Sequence, residues 1–359
     1  MNSGSHSQKA PPLCVLSVGR SGTSLVTRSL NLMGVHLGAC SDLLPPSEQN
    51  ETGYWENAEI YRVNEALLEI FGGSWYRPPD LRPGWTSDPR VQTLREGASH
   101  LITGLAEEPG RRWGFKDPRT AVVLRFWREL IGEMHYVICV RKPAAVISSV
   151  EETGLPGAHE RATVSLWLKV NALILSETVH ERRTFVFYED WFEDAAAVVA
   201  KLADFAGGDA HGVDGQAIVQ GAFRPELRRA DERANALHTD APEPDAMYAH
   251  LRLVAGTDAP DPEVRLRQAH VAQGLADAHG ERERLRDGNR GFLARNADLQ
   301  AETEALQGRA TALERTVREL ESQQARSRQV LEGLQQSASW RVTAPLRAAK
   351  RRLAPNLRP

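Results

Sequence analysis

Three observations predict an α/β protein in three layers, with a central, mainly parallel sheet and a C-terminal helical coiled coil. Short apolar runs at Leu13–Val18, His135–Val140 and Thr184–Phe187 each lead into a polar turn and a segment of helical period. Near-continuous apolar strands of this kind belong to sheets covered on both faces. Composition also breaks sharply along the chain. Seven of the eight tryptophans lie between Trp55 and Trp191, whereas residues 263–344 contain no proline, and Phe292 is their only aromatic before Trp340.

These breaks divide the 359 residues into a disordered N-terminus (1–10), a globular domain (11–235), a polar linker (236–262), a helical coiled-coil region (263–336) and a basic tail (337–359). A formal charge of −3 and a pI near 6.4 argue against a nucleic-acid binder. The first 12 residues lack an apolar signal region, and no apolar run approaches the ~20 residues that cross a bilayer. The expected location is therefore cytoplasmic. Cys14, Cys40 and Cys139 are odd in number and lack CxxC spacing, which fits reduced, structural thiols, and no metal site is expected.

Leu13–Val18 reads as the first buried strand. Gly19-Arg20-Ser21-Gly22-Thr23-Ser24 follows as a donor-rich turn, and Leu25, Arg28, Ser29 and Leu32 begin a helix that Gly34 stops. A glycine turn between strand and helix N-terminus offers unpartnered N–H groups and the positive end of the helix dipole to an anion. Arg20 and the hydroxyls of Ser21, Thr23 and Ser24 add donors. No Gly-Lys-Ser/Thr closes the turn, so it is not a Walker A loop.

Gly53-Tyr54-Trp55-Glu56-Asn57 leads into a helix marked by Ile60, Val63, Leu67 and Leu68. Glu56 reads equally as a proton acceptor or as a first-turn acid favoured by the helix dipole, with Glu48 and Glu51 as substitutes for the former. Ser87-Asp88-Pro89 has the grammar of a helix start, with an amphipathic run from Val91 to Ala106. Arg111–Phe115 reads as a short strand ending in Lys116-Asp117-Pro118-Arg119, with Asp117 capping a helix from Pro118. His135–Val140 is followed by Arg141-Lys142-Pro143 and a helix carrying Ser148 and Ser149. A guanidinium fork with a hydroxyl one or two turns on grips a phosphate well. The Val164–Val179 helix reads as core, and Tyr188 and Asp190 after the Thr184–Phe187 strand read as structural.

In this order the blocks resemble sulfotransferases that use 3′-phosphoadenosine 5′-phosphosulfate (PAPS). The Gly19–Ser24 turn looks like their phosphosulfate loop, Gly53–Asn57 like a bacterial Gly-Tyr/His-Trp-Glu-Asn stretch, and Arg141 with Ser149 like the 3′-phosphate motif Arg-x-Pro-x5-Ser. The chain departs from the commoner pattern in carrying Ala144-Ala145 where an acid is often found. Over residues 13–230 the resemblance implies a P-loop-like sulfotransferase fold and sulfuryl transfer from PAPS to a hydroxyl, with no metal. It implies nucleotide contacts from Gly19, Arg20, Ser21, Gly22, Thr23, Ser24, Arg141, Ser149, Arg228 and Arg229. Catalysis would fall to Glu56 as base with Arg20 and Lys116, and Trp55 and Arg119 would meet the acceptor, a cell-surface glycan or glycolipid. The alternatives are a P-loop-like nucleotide kinase, which the missing Walker lysine opposes, and a non-catalytic coiled-coil scaffold.

Leu285, Phe292, Leu299, Leu306, Leu313 and Leu320 recur every seven residues. With these at d, Asn289, Asn296, Thr303, Ala310 and Val317 fall at a, a coiled-coil pattern that is polar in its first half. The repeat slips after Leu320. A homodimer through 296–334 is expected ahead of a solitary helix packed on its own domain. From Trp340 onward there are six Lys/Arg and no acids. With Trp340, Val342 and Leu346, the 340–359 segment suits peripheral contact with an anionic membrane or a disordered basic end.

Overall fold

The computed structural model describes residues 10–47, 50–108, 110–154, 159–207, 213–225, 241–257 and 261–336, together with Thr343 and Pro345. Two compact units result, residues 1–283 and 284–359.

The first unit is built on four parallel strands: β1 (Leu13–Ser17), β2 (Gly114–Lys116), β3 (His135–Val140) and β4 (Arg183–Phe187), in the order β2-β1-β3-β4. Alternate residues of β1, β3 and β4 feed two cores. Cys14, Leu16, Tyr136, Ile138, Phe185 and Phe187 point to one face. Leu13, Val15, Val137, Cys139 and Val186 point to the other. On this second face lie α1 (Thr23–Leu32), α7 (Asp190–Ala206) and α8 (Gly215–Ala222). On the first lie α2 (Ala58–Ile70), α3 (Pro89–Ala106), α4 (Thr120–Ile131), α5 (Pro143–Glu151) and α6 (Glu160–Glu177). The architecture is therefore the three-layer α/β arrangement that the apolar runs predict.

The chain leaves β1 for β2 on one side and returns to β3 on the other. Winding thus reverses between β1 and β3, and in open α/β sheets ligands sit in the crevice at the carboxyl ends of such strands.

Three local expectations change. The short strand is Gly114–Lys116 rather than 111–115, with Trp113 making an isolated bridge to His36. Helix α4 is assigned from Thr120, two residues later than Pro118, while Asp117 caps its entry as expected, with Oδ1 accepting from the Arg119 N–H at 2.8 Å. The expected linker at 236–262 contains a helix, α9 (Glu243–Thr257), whose Met247, Leu251 and Val254 are buried in the first core. The last helix, α10 (Pro262–Gln336), also begins inside this unit, with Ala269 and Ala272 buried. Apolar residues at helical spacing outweigh the Asp/Pro-rich connector signal there.

In the second unit α10 continues to Gln336. Among the described residues, no helix is long and apolar enough to cross a membrane.

Candidate active site

The Gly19–Ser24 turn leaves β1 and closes on α1. Gly22, at φ 78°, stands at the N-cap of α1. A side chain there would be strained, and its Cβ would lie 2.5 Å from Tyr188 Cδ2. A Cβ at Gly19 would come within 3.0 Å of the Trp75 ring. Among the described residues, two non-glycines have positive φ: Arg20 at 70° and Trp55 at 59°. Both belong to stretches singled out from the sequence, and such backbone conformations collect where function holds them. Arg20 and Gly22, two residues apart, thus both hold positive φ within one turn.

The β1 and β3 turns meet. The Arg20 Nε–H donates to Ser149 Oγ at 3.0 Å, and Arg141 Nη1 donates to the Arg20 carbonyl at 3.2 Å. Arg141 is buried, its guanidinium 4.3 Å from the Tyr188 ring centroid, and its own carbonyl accepts from Trp167 Nε1 at 3.2 Å. Ser149 rather than Ser148 meets Arg20, although both are buried in α5. Ser21, Thr23 and Gly19 are also buried in the turn.

Beside this pair lies an ion pair. Lys116, the last residue of β2, donates from Nζ to Glu56 Oε1 at 2.6 Å, and the two side chains are only 2% and 6% exposed. Glu56 lies outside the first turn of α2. Asn57 caps that helix, accepting from the Glu59 and Ile60 N–H groups. The dipole account of Glu56 therefore gives way to direct pairing with Lys116. Lys116 Nζ also stands 3.4 Å from Ser24 Oγ, which donates to the Tyr54 carbonyl and accepts from Asn50 Nδ2. The ammonium thus bridges the carboxylate and the Gly19–Ser24 turn. Glu51 is exposed, and Glu48 lies outside the described residues.

Asp117 is fully buried. Oδ1 accepts from the Arg119 N–H and from Arg119 Nη1 at 3.1 Å, while Oδ2 has no hydrogen-bond partner among the described residues. Burial raises its pKa to about 6; the nearby Glu56 charge adds to this, and Arg119 opposes it.

Two expected acceptor contacts have other occupations. Arg119 pairs with Glu65 and Asp117 and lies over Tyr61, 4.4 Å from the ring centroid. Trp55 donates from Nε1 to the Thr52 carbonyl at 3.0 Å, and its ring packs beneath Arg28 on the second core. Both side chains are thus engaged within the fold. Arg228 and Arg229 lie outside the described residues.

Tyr188, Asn50 and Trp75 also border the Gly19–Ser24 turn, and no motif in the sequence marks them. Tyr188 follows β4 directly, so its place on the sheet's carboxyl edge was a usable signal. Asn50 and Trp75 carry none, because their loops reach the turn only through space. A separate cleft, floored by Trp85, Val122, Val170 and Leu173, shares no lining residue with the turns after β1 and β3.

No protein-family model matches the chain, nor does any curated protein sequence. Among solved structures it is similar to sulfotransferases. The sulfotransferase domain of the Synechococcus PCC 7002 olefin synthase is 18% identical, with 75% of this chain and 97% of that one covered and a TM-score of 0.38. A sulfotransferase from Mycobacterium avium is 13% identical over 67% and 76% of the two chains, with a TM-score of 0.41. The sulfotransferase domain from the curacin biosynthetic pathway is 18% identical over 63% and 83%, with a TM-score of 0.35.

Proposed function

We propose that this protein moves the sulfuryl group of PAPS to a hydroxyl of an acceptor, a cell-surface glycan or glycolipid. The observation that carries the reading is the meeting of two anion-binding turns, after β1 and β3, through Arg20–Ser149 and Arg141–Arg20. One bis-anionic nucleotide suits such a pair, its sulfated end on the Gly19–Ser24 N–H groups and its 3′-phosphate at Arg141 and Ser149. PAPS supplies the activated sulfuryl group.

The chain's own residues supply position, charge and a proton acceptor. Glu56 takes the acceptor's hydroxyl proton, while Arg20, Lys116 and the turn N–H groups offset negative charge on the transferring group and its leaving oxygen. Without ligand, Glu56 is neutralised by Lys116. An anion on the turn competes for that ammonium, already 3.4 Å from Ser24 Oγ. Once Lys116 turns toward it, the Glu56 carboxylate is released from its ion pair and is open to the acceptor's hydroxyl. Donor binding thereby arms the proton acceptor.

We place the protein in the cytoplasm, with peripheral membrane contact through 340–359. Of this tail, only Thr343 and Pro345 are among the described residues.

The test is incubation of the purified chain with PAPS and a panel of hydroxyl acceptors, followed by mass spectrometry. Acceptor products heavier by one sulfuryl group are expected, with release of 3′-phosphoadenosine 5′-phosphate (PAP). Thermal stabilisation by ATP but not by PAP would instead favour a nucleotide kinase.

A further inference from the structure

We propose that the second unit joins two copies of this chain in a parallel, in-register coiled coil across residues 289–334. The helix is continuous to Gln336, yet its apolar stripe is uncovered: Leu285, Phe292, Leu299, Leu306, Leu313 and Leu320 are each 54–66% exposed. Helices in proteins draw most of their stability from burying an apolar face. Among the described residues of the second unit, nothing gives this face that support.

Spacing selects another helix as the cover. A strict seven-residue repeat drifts around a straight helix and stays on one seam only when two helices supercoil left-handedly. The repeat is also longer than the leucine count suggests. After Leu320, Gln324 and Ser327 fill one polar a/d pair, and Leu331 and Leu334 then fall at a and d of the same register. The apparent slip is thus a polar interruption of an unbroken frame. Thr303 and Val317 are β-branched at a opposite leucine at d, the combination that favours two strands.

Symmetry selects a second copy, and its direction. Asn289 and Asn296 stand at consecutive a positions. In a parallel, in-register pair each amide faces its own counterpart and bonds to it. An antiparallel pair sets each a residue beside a d residue, leaving these amides against Phe292 or leucines without partners. A one-heptad stagger leaves an asparagine unmatched. Flanking charges agree. Arg309 at g meets Glu314 at e of the second copy, and no g–e′ pair between 295 and 335 opposes like charges.

Sedimentation equilibrium of the full chain at micromolar concentration tests the interface. The expected mass is twice the 39.7 kDa of one chain. Leu306→Glu with Leu313→Glu should give a monomer whose first unit melts as in wild type. For orientation, Asn296→Cys is made in a Cys40→Ser background, since Cys40 is exposed whereas Cys14 and Cys139 are buried. Mild oxidation should convert this variant to a disulfide-linked dimer. A monomeric wild-type chain, or a dimer that survives the double glutamate variant, overturns the interface. A dimer that position 296 does not cross-link overturns the parallel register.

Discussion

The Arg20 Nε–H donates to Ser149 Oγ across 129 residues of sequence, at 3.0 Å. The contact exists because β1 and β3 are neighbouring parallel strands, so the turns leaving them open at the same edge. Two turns that touch can hold opposite ends of one ligand.

Arg20→Ala and Arg141→Ala should each weaken binding of PAP by about tenfold to about a hundredfold in titration calorimetry. That range corresponds to ~1.5–3 kcal/mol for a hydrogen bond to a charged group. Unchanged affinity in both variants would remove the nucleotide site from these turns.

Glu56→Gln should lower sulfuryl transfer by about 10²–10⁴-fold, the usual worth of a positioned base. It should also bind PAPS at least as tightly as wild type, because Lys116 no longer has to leave a carboxylate. Without nucleotide the variant should melt earlier, since a buried lysine is left unpaired, and PAPS should recover part of that loss. If the variant instead loses affinity as far as Lys116→Met does, the arming of Glu56 by donor binding is wrong.

Gly22→Ala and Gly84→Ala separate strain from collision. Both glycines have positive φ, 78° and 81°, but a Cβ at Gly84 meets nothing within 4 Å whereas one at Gly22 meets the Tyr188 ring. Urea unfolding should show Gly84→Ala costing ~1 kcal/mol and Gly22→Ala distinctly more. Only the latter should impair PAP binding.

Asp117 gives a pH signature. Its native pKa near 6 lies above the unfolded value of about 3.9, so between these the native state binds more protons. Ionising the buried carboxyl therefore costs stability as pH rises from about 4 to about 6, and the full cost persists above. Asp117→Asn should stabilise the protein relative to wild type at pH 7, with the difference shrinking toward pH 4. Melting-temperature differences that stay flat across that interval would show that Asp117 is not held in this way.

The strands and the donor-rich turn were legible because their signals are local. An apolar run of five or six residues, a glycine turn and a capped helix each declare themselves within a dozen positions. Helix α9 was not, since Asp240–Pro244 reads as a connector while Met247, Leu251 and Val254 take their meaning from the core that receives them.

By itself, then, the sequence determined the layered α/β class, the turn at Gly19–Ser24, the Arg141–Ser149 spacing and the heptad register. Tertiary structure alone decided that Lys116 faces Glu56, that Ser149 rather than Ser148 meets Arg20, and that Tyr188 braces both turns. Period and composition act within one element. Partners from different elements are chosen by strand order and helix packing, which no local window of the chain contains.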